Sequence, residues 1–206
     1  MLKVSVSTAF YHNDIYNMKN IIYILIIVFT VQITLAQNWK NDPDHSRLEF
    51  STTHMLISEV KGIFKNFEVK MNAKKPDFSD AVIELTAFIN SIDTEVEARD
   101  KHLKSLDFFD EENYPVMVFK SNSFKETGKN KYKVTGNLML HNITKQITVV
   151  MIYNGTIVNH NTNKTTAGFQ ILGEINRLDF NVGAKAPGSV ISEDVAIVAN
   201  LEMQLQ

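Results

Sequence analysis

From Arg47 to the end of the chain, apolar and polar residues alternate through most long stretches, the period-two pattern of half-buried strands. Eight stretches carry it: residues 47–53, 60–71, 81–90, 116–124, 131–140, 147–153, 169–176 and 195–205. The last is the most regular, with Val195, Ile197, Ala199, Leu201, Met203 and Leu205 opposing Asn200, Glu202 and Gln204. In the second stretch the parity slips between Phe64 and Phe67, which predicts a bulge. Punctuation falls between stretches: Lys74-Lys75-Pro76-Asp77, a Gly128 hairpin loop, the tight link His141-Asn142, and irregular residues 154–165 and 179–192. Residues 39–46, with Asp42-Pro43-Asp44, are polar and read as turn.

One segment breaks the alternation. Residues 90–115 predict a single short helix, with Thr94 as N-cap and Glu97 completing a capping box. Val96, Leu103 and Leu106 recur at roughly helical spacing and form a stripe that can face a core. Lys101, His102 and Lys104 fall in the last turn, where positive charge suits the helix dipole. Phe108-Phe109 follow directly, so the segment reads as a lid or plug on a sheet structure.

Regularly spaced alternating strands without a βαβ pattern imply an all-β, antiparallel sandwich or barrel with one short helix between strands 3 and 4. Eight strands closed into a barrel enclose either packed side chains or one ligand. Small inward residues (Gly62, Ala87, Gly136, Gly173, Ala199) beside Phe and Met leave room or interdigitate, and the alternation leaves both open.

Upstream, Met18-Lys19-Asn20 precedes an apolar run over residues 21–35, ending in Thr34-Leu35-Ala36. This three-part pattern is that of a secretory leader cleaved near Ala36, with translation starting at Met18. The run is shorter than the ~20 residues that a spanning helix needs. Residues 1–36 are thus extension and leader, and residues 37–206 one domain, with no stable membrane span and a periplasmic or secreted destination. Removing Lys3, Lys19 and Asp14 with the leader takes the net charge from −2 to −3. The scattered basic residues form no stripe, which argues against nucleic acid as a partner. The absence of cysteine excludes disulfides, zinc–thiolate sites and thiol catalysis.

Motifs spread over about 140 residues resemble the YceI family of secreted, lipocalin-like polyisoprenoid-binding proteins. They are Trp39 with Asp42-Pro43-Asp44-His45-Ser46 and Phe50; His54 with Val60-Lys61-Gly62-Ile63-Phe64; Ser91-Ile92-Asp93-Thr94; and Arg99-Asp100-Lys101-His102-Leu103. Further on come Asp107-Phe108-Phe109, Tyr114-Pro115, Phe119-Lys120-Ser121, Gly136-Asn137-Leu138, Ile143-Thr144-Lys145 and Asp179-Phe180. No single piece is specific; their joint order is. The resemblance implies an eight-stranded antiparallel lipocalin-like barrel whose apolar interior holds an isoprenoid lipid, such as a quinone tail or a polyprenyl phosphate. It implies no other cofactor.

The titratable candidates for chemistry are His45, His54, His102, Asp93, Asp100, Arg99 and Asp179. No Ser or Cys nucleophile stands beside a base and an orienting group, so catalysis is not expected. No histidine pair has the spacing of a metal site. An apolar ligand asks less: burying ~10 methylene equivalents at ~0.8 kcal/mol each gives roughly 8 kcal/mol gross, the scale of micromolar binding before ordering costs. The lining expected from the inward rows is Phe50, Phe64 and Phe67 from the first two strands, and Leu85 and Ala87 from the third. Met117, Phe119 and Leu138 follow from the fourth and fifth, and Val149, Met151, Ile171 and Ile197 from the rest. Leu103, Leu106, Phe108 and Phe109 are placed at the entrance. The competing reading is a solid-cored stress or interaction protein that works through its outer surface.

Overall fold

The computed structural model describes residues 36–206; the leader read upstream of Ala36 lies outside the described residues. Eleven strands form one antiparallel sheet: β1 (Gln37–Asn41), β2 (Arg47–His54), β3 (Ser58–Phe64), β4 (Phe67–Ala73), β5 (Val82–Phe88), β6 (Ile92–Asp93), β7 (Val116–Gly128), β8 (Lys131–Leu140), β9 (Ile143–Val158), β10 (Thr165–Asn176) and β11 (Asp194–Leu205). Among the described residues one α-helix, α1 (Glu97–Lys104), lies between β6 and β7.

These segments fill eight strand positions around a closed barrel. β11 pairs with β10 along its length, with β2 through Ala196–Asn200 and with β1 through Met203–Leu205. β1 and β2 therefore share one position along β11. β4 on β1 and β3 on β2 share the next, and β5 followed by β6 makes the third. β7, β8, β9 and β10 complete the circuit by consecutive hairpins. Outward residues such as Glu68, Lys70, Glu84, Lys120 and Asn137 are polar, and the inward rows form one hydrophobic core.

Three local expectations are corrected. Residues 37–41 form a strand, which takes in the first part of the polar turn expected over residues 39–46. Trp39 and Asn41 both face inward, 4% and 5% exposed, and the Asn41 amide oxygen accepts the Val69 N–H at 2.7 Å. A polar residue in an inward row is tolerated because its partner is built in. The slip between Phe64 and Phe67 is a full break: Lys65 N–H donates to Ser91 O and Phe88 N–H to Asn66 O, which separates β3 from β4. The helix does not follow the third strand directly, because a 3-10 turn (Ile89–Ser91) and the two-residue β6 intervene.

The capping box is also absent. Val96 occupies the N-cap position without a side-chain bond. Thr94 is buried two residues upstream, and its N–H and hydroxyl both donate to Asp100 Oδ1. Arg99 donates back from Nε to Thr94 Oγ1 and from Nη2 to Thr94 O, at 2.8 and 2.7 Å. Asp100 reaches the free backbone donor that Glu97 was expected to serve. The helix buries no residue: Val96 and Leu106 are 46% and 75% exposed, and of the expected stripe only Leu103 packs against the core.

The two barrel ends differ. At the end bounded by Ala73, Val82, Tyr132 and Leu205, the β4–β5 loop folds Phe78 inward against Trp39, Tyr153 and Phe169, with ring centroids 4.9–5.3 Å apart. Phe78 is 1% exposed at φ 61°, and Tyr132 Oη donates to Asp77 O at 2.6 Å, pinning the loop. This end is sealed by aromatic packing. The other end is bounded by His54, Leu140, Asn176 and α1.

Candidate functional site

At the unsealed end the barrel is hollow. A cavity of about 630 Å³ lies beneath α1 and the loop joining β10 to β11, within the roughly 300–1,000 Å³ span of ligand sites. Its walls are mostly apolar: Leu48 and Phe50 from β2, Val60 and Phe64 from β3, Met117 and Leu140, then Ile175, Val195 and Ile197, with Glu49, Thr52 and Thr94 as polar members. Phe50 packs on Phe64 with centroids 5.5 Å apart, and the Phe50 ring lies directly on Gly62, where an added Cβ would collide with it. Glycine at this inward position is what lets the ring lie flat against β3.

Leu48, Met117 and Ile197 form the floor, which they share with a second space of only about 60 Å³ lined by Leu85, Phe119, Leu138, Val149, Met151 and Ile171. The barrel is thus filled below this floor and open above it. At Gly136 an added Cβ would strike Lys120 O and the Phe119 ring, and at Gly173 it would come within 2.7 Å of Val149, so the small inward residues there interdigitate.

The expected lining residues divide accordingly. Phe50, Phe64, Met117 and Ile197 line the large cavity. Leu85, Phe119, Leu138, Val149, Met151 and Ile171 surround the small one, together with Met117 and Ile197. Phe67 and Ala87 line neither; Ala87 is fully buried in the wall. At the mouth, Leu103, Phe108 and Phe109 line the cavity, whereas Leu106 points to solvent. Phe108 is 6% exposed and meets the His102 ring edge-on at 4.9 Å.

The β10–β11 loop contributes Val182, Ala186, Val190 and Ile191 to the wall, which the alternation did not reveal because the loop has no period. What shapes it is Arg177. This guanidinium is 4% exposed and gives all five N–H groups to loop carbonyls: Nε to Ser192 O (3.1 Å), Nη1 to Val182 O (3.0 Å) and Gly183 O (2.5 Å), and Nη2 to Ala186 O (2.7 Å) and Ile191 O (3.1 Å). Burial pushes its pKa below the ordinary value, opposed by nearby Glu193, but an arginine remains charged. Although Arg177 borders the cavity, its donors are spent on the loop. The one sequence signal was a charged residue directly after the inward Ile175 row.

The polar groups at the mouth are His54, Arg99, His102, Asp107 and Lys185. Lys185 Nζ lies 3.3 Å from Asp107 Oδ1, joining the β10–β11 loop to the segment after α1 across the opening. His54 and His102 thus share one rim, and His45 stands apart on the outer wall. There Asp42, His45 and Glu202 lie with ligand-type atoms within 4.8 Å of one another. The Asp42 carboxylate already accepts from His45 Nδ1, Asp44 N–H and Gln204 Nε2. Burial raises the Asp42 pKa, but the His45 and Asp44 hydrogen bonds outweigh it and the net shift is downward; the same Asp42 bond raises His45. Asp93 is ion-paired with Lys65 and Asp179 with Lys145.

At the hairpin joining β2 to β3, Met55 and Leu56 have φ of 52° and 62°, and Ile57 N–H donates to His54 O at 3.1 Å. That is the backbone of a type I′ turn, which favours Asn-Gly. Left-handed backbone costs a residue with a Cβ roughly 1–2 kcal/mol. The β8–β9 hairpin, with His141 and Asn142 at φ 52° and 58°, meets the same demand with two polar residues.

No helix among the described residues is long and apolar enough to cross a membrane. Among solved structures, the chain resembles the Campylobacter jejuni YceI protein (TM-score 0.69, 28% identity, covering 75% of this chain and 90% of that one). It has the fold of Burkholderia cenocepacia BcnA (TM-score 0.71, 24% identity, 79% and 98%). It also has that of a polyisoprenoid binding domain from Saccharophagus degradans (TM-score 0.60, 15% identity, 82% and 98%). A UPF0312 protein of Staphylococcus aureus (strain USA300) is 34% identical over 172 residues, covering 82% of this chain and 98% of its own. Residues 39–203 match the YceI-like domain, and the chain belongs to that family.

Proposed function

We propose that this protein is a secreted or periplasmic carrier that holds one isoprenoid amphiphile in the upper half of its barrel and performs no chemistry on it. The observation that carries this reading is the 630 Å³, mostly apolar cavity with a polar rim. At the ~30 Å³ that a water-sized group occupies, that space accepts about twenty heavy atoms, or about four isoprene units. Twenty such groups at ~0.8 kcal/mol each supply roughly 16 kcal/mol gross, well beyond what micromolar binding needs after ordering costs. The filled lower barrel sets the depth, so a longer chain folds back on itself or extends through the mouth. His54, Arg99, His102 and Lys185 lie where a polar head group would rest. The polyisoprenoid-binding Saccharophagus domain shares the fold, which agrees with an apolar chain as occupant. The export address rests on the leader read in residues 18–36.

Native mass spectrometry of protein purified from its own host, followed by organic extraction, tests the reading. A single bound lipid per chain is the expected result. A protein that carries none, and that takes up neither a quinone nor a polyprenyl phosphate from detergent, would leave the solid-cored alternative.

A further inference from the structure

Exposed large hydrophobic side chains are not spread evenly over the described residues. Seven of the eleven stand at the open end: Met55, Leu56 and Ile57 at the β2–β3 tip, Val96 and Leu106 beside α1, and Leu178 and Val190 on the β10–β11 loop. The tip is the extreme case, with exposures of 51%, 69% and 87% on consecutive residues. It is fixed to the cavity rim, because Met55 N–H donates to Val190 O at 2.9 Å and His54 bridges to Ile191. Val190, Ile191 and His54 all line the cavity. Folding alone would favour Asn-Gly in this turn, as the polar β8–β9 turn of the same backbone form illustrates. Large apolar residues held in left-handed backbone and aimed at solvent are a stability cost kept for another purpose.

From this juxtaposition we propose that the β2–β3 tip docks the barrel mouth onto a lipid bilayer by inserting Met55, Leu56 and Ile57 among the lipids. A convex tip of three side chains exposes a few hundred Å², less than the roughly 800 Å² per partner of a stable protein interface. A bilayer, unlike a folded partner, closes around a protruding point. The rim mixes Arg99, Lys185 and Lys104 with Glu95, Asp107 and Asp179, and the whole chain is acidic, so attachment is apolar and needs no anionic lipid. The choice of bilayer rests on the lipid-holding reading, but docking is measured separately from cargo.

The test is flotation of the purified protein with phosphatidylcholine vesicles, compared with the Met55→Asn, Leu56→Gly double variant. The variant should keep or raise the melting temperature, keep its bound lipid in native mass spectra, and lose vesicle binding by about tenfold or more. Binding by the unaltered protein should barely change with added salt. The N-terminal region is common to both proteins, so their difference reports the tip. Because the chain has no cysteine, Ile57→Cys and Ile157→Cys each take one environment-sensitive fluorophore without altering the left-handed pair Met55-Leu56. Vesicles should shift emission to the blue at position 57 and leave it unchanged at 157, at the sealed end. Equal flotation of variant and parent, no flotation of either, a probe at 57 that does not respond, or a tip-dependent dimer in light scattering would each overturn the proposal. A protein that floats through its tip yet carries no lipid would sink the carrier reading and leave the docking surface standing.

Discussion

Arg177 offers the most direct check on how the mouth is built. Replacing it with methionine keeps the unbranched stem but not the planar head, and removes five hydrogen bonds to backbone carbonyls of residues 182–192. At ~1.5 kcal/mol for each bond to a charged group, the gross loss is roughly 7 kcal/mol. Against this, the buried guanidinium no longer has to be kept out of water, which returns several kcal/mol. The net expectation is a loss of about 3–5 kcal/mol, or roughly 6–20 °C in melting temperature for a domain of this size. Arg177→Lys, with three donors in place of five, should recover less than half of it. Urea unfolding gives the free energy, and an unchanged slope against denaturant would place the effect in the native state. Native-state amide exchange gives the location: the Val182, Ala186 and Ile191 amides should lose protection well before those of β8 and β9. A methionine variant within about 1 kcal/mol of the parent, with loop protection intact, would refute the claim that this one cation organises the loop.

The hollow and filled halves of the barrel should answer enlargement differently. Val195→Trp has the cavity to occupy, so it should abolish lipid uptake at a cost below about 1 kcal/mol, while Ala87→Trp, in a wall without space, should cost ~1–3 kcal/mol or more by overpacking; equal costs in thermal melts would mean that the cavity closes in solution. On the outer wall, a proton NMR titration should place the His45 pKa above its ordinary value, and Asp42→Asn, which removes the largest cause, should lower it. The linked stability, with His45 raised and Asp42 lowered, is fully present between the ordinary aspartate and ordinary histidine ranges, fading as pH falls through the lowered Asp42 pKa and as it rises through the raised His45 pKa; a flat pH profile for the difference between the two proteins would contradict it.

The eight strand positions were legible because inward residues such as Ile83, Leu85, Val134, Leu138, Phe169 and Leu201 alternate without interruption. β1 was not, because an inward asparagine looks like a turn residue until its partner, the Val69 amide, is known. The capping signal at Thr94 and Glu97 was real in composition but lost to Asp100, whose carboxylate sits closer in the folded segment. The lining of the site was half legible. Alternation says that Phe50 and Phe119 both face inward, but not that the wall above Leu48, Met117 and Ile197 is held apart by a loop while the wall below closes. That difference depends on the five carbonyls gathered by Arg177 and on Phe78 folding into the far end, neither of which has a periodic signature.

The pairing of β1 and β2 with β11 also has a kinetic consequence. The seam that closes the ring joins the first two described strands to the last: β1 through three residue pairs, Trp39 with Leu205, Lys40 with Gln204 and Asn41 with Met203, and β2 through five, from Arg47 with Asn200 to Ser51 with Ala196. The hairpins from β7 to β11 are local and can zip early, whereas this seam must wait until both ends of the chain are free to meet. Ring closure is therefore expected to be the last and slowest step of folding, and the seam the first place where the barrel opens. Pulse-labelled amide exchange that found β1 protected before the β8–β9 hairpin would contradict this order. Until the seam forms, the cavity has walls but no circumference, so the ability to hold a ligand would be acquired with the final turn of the ring.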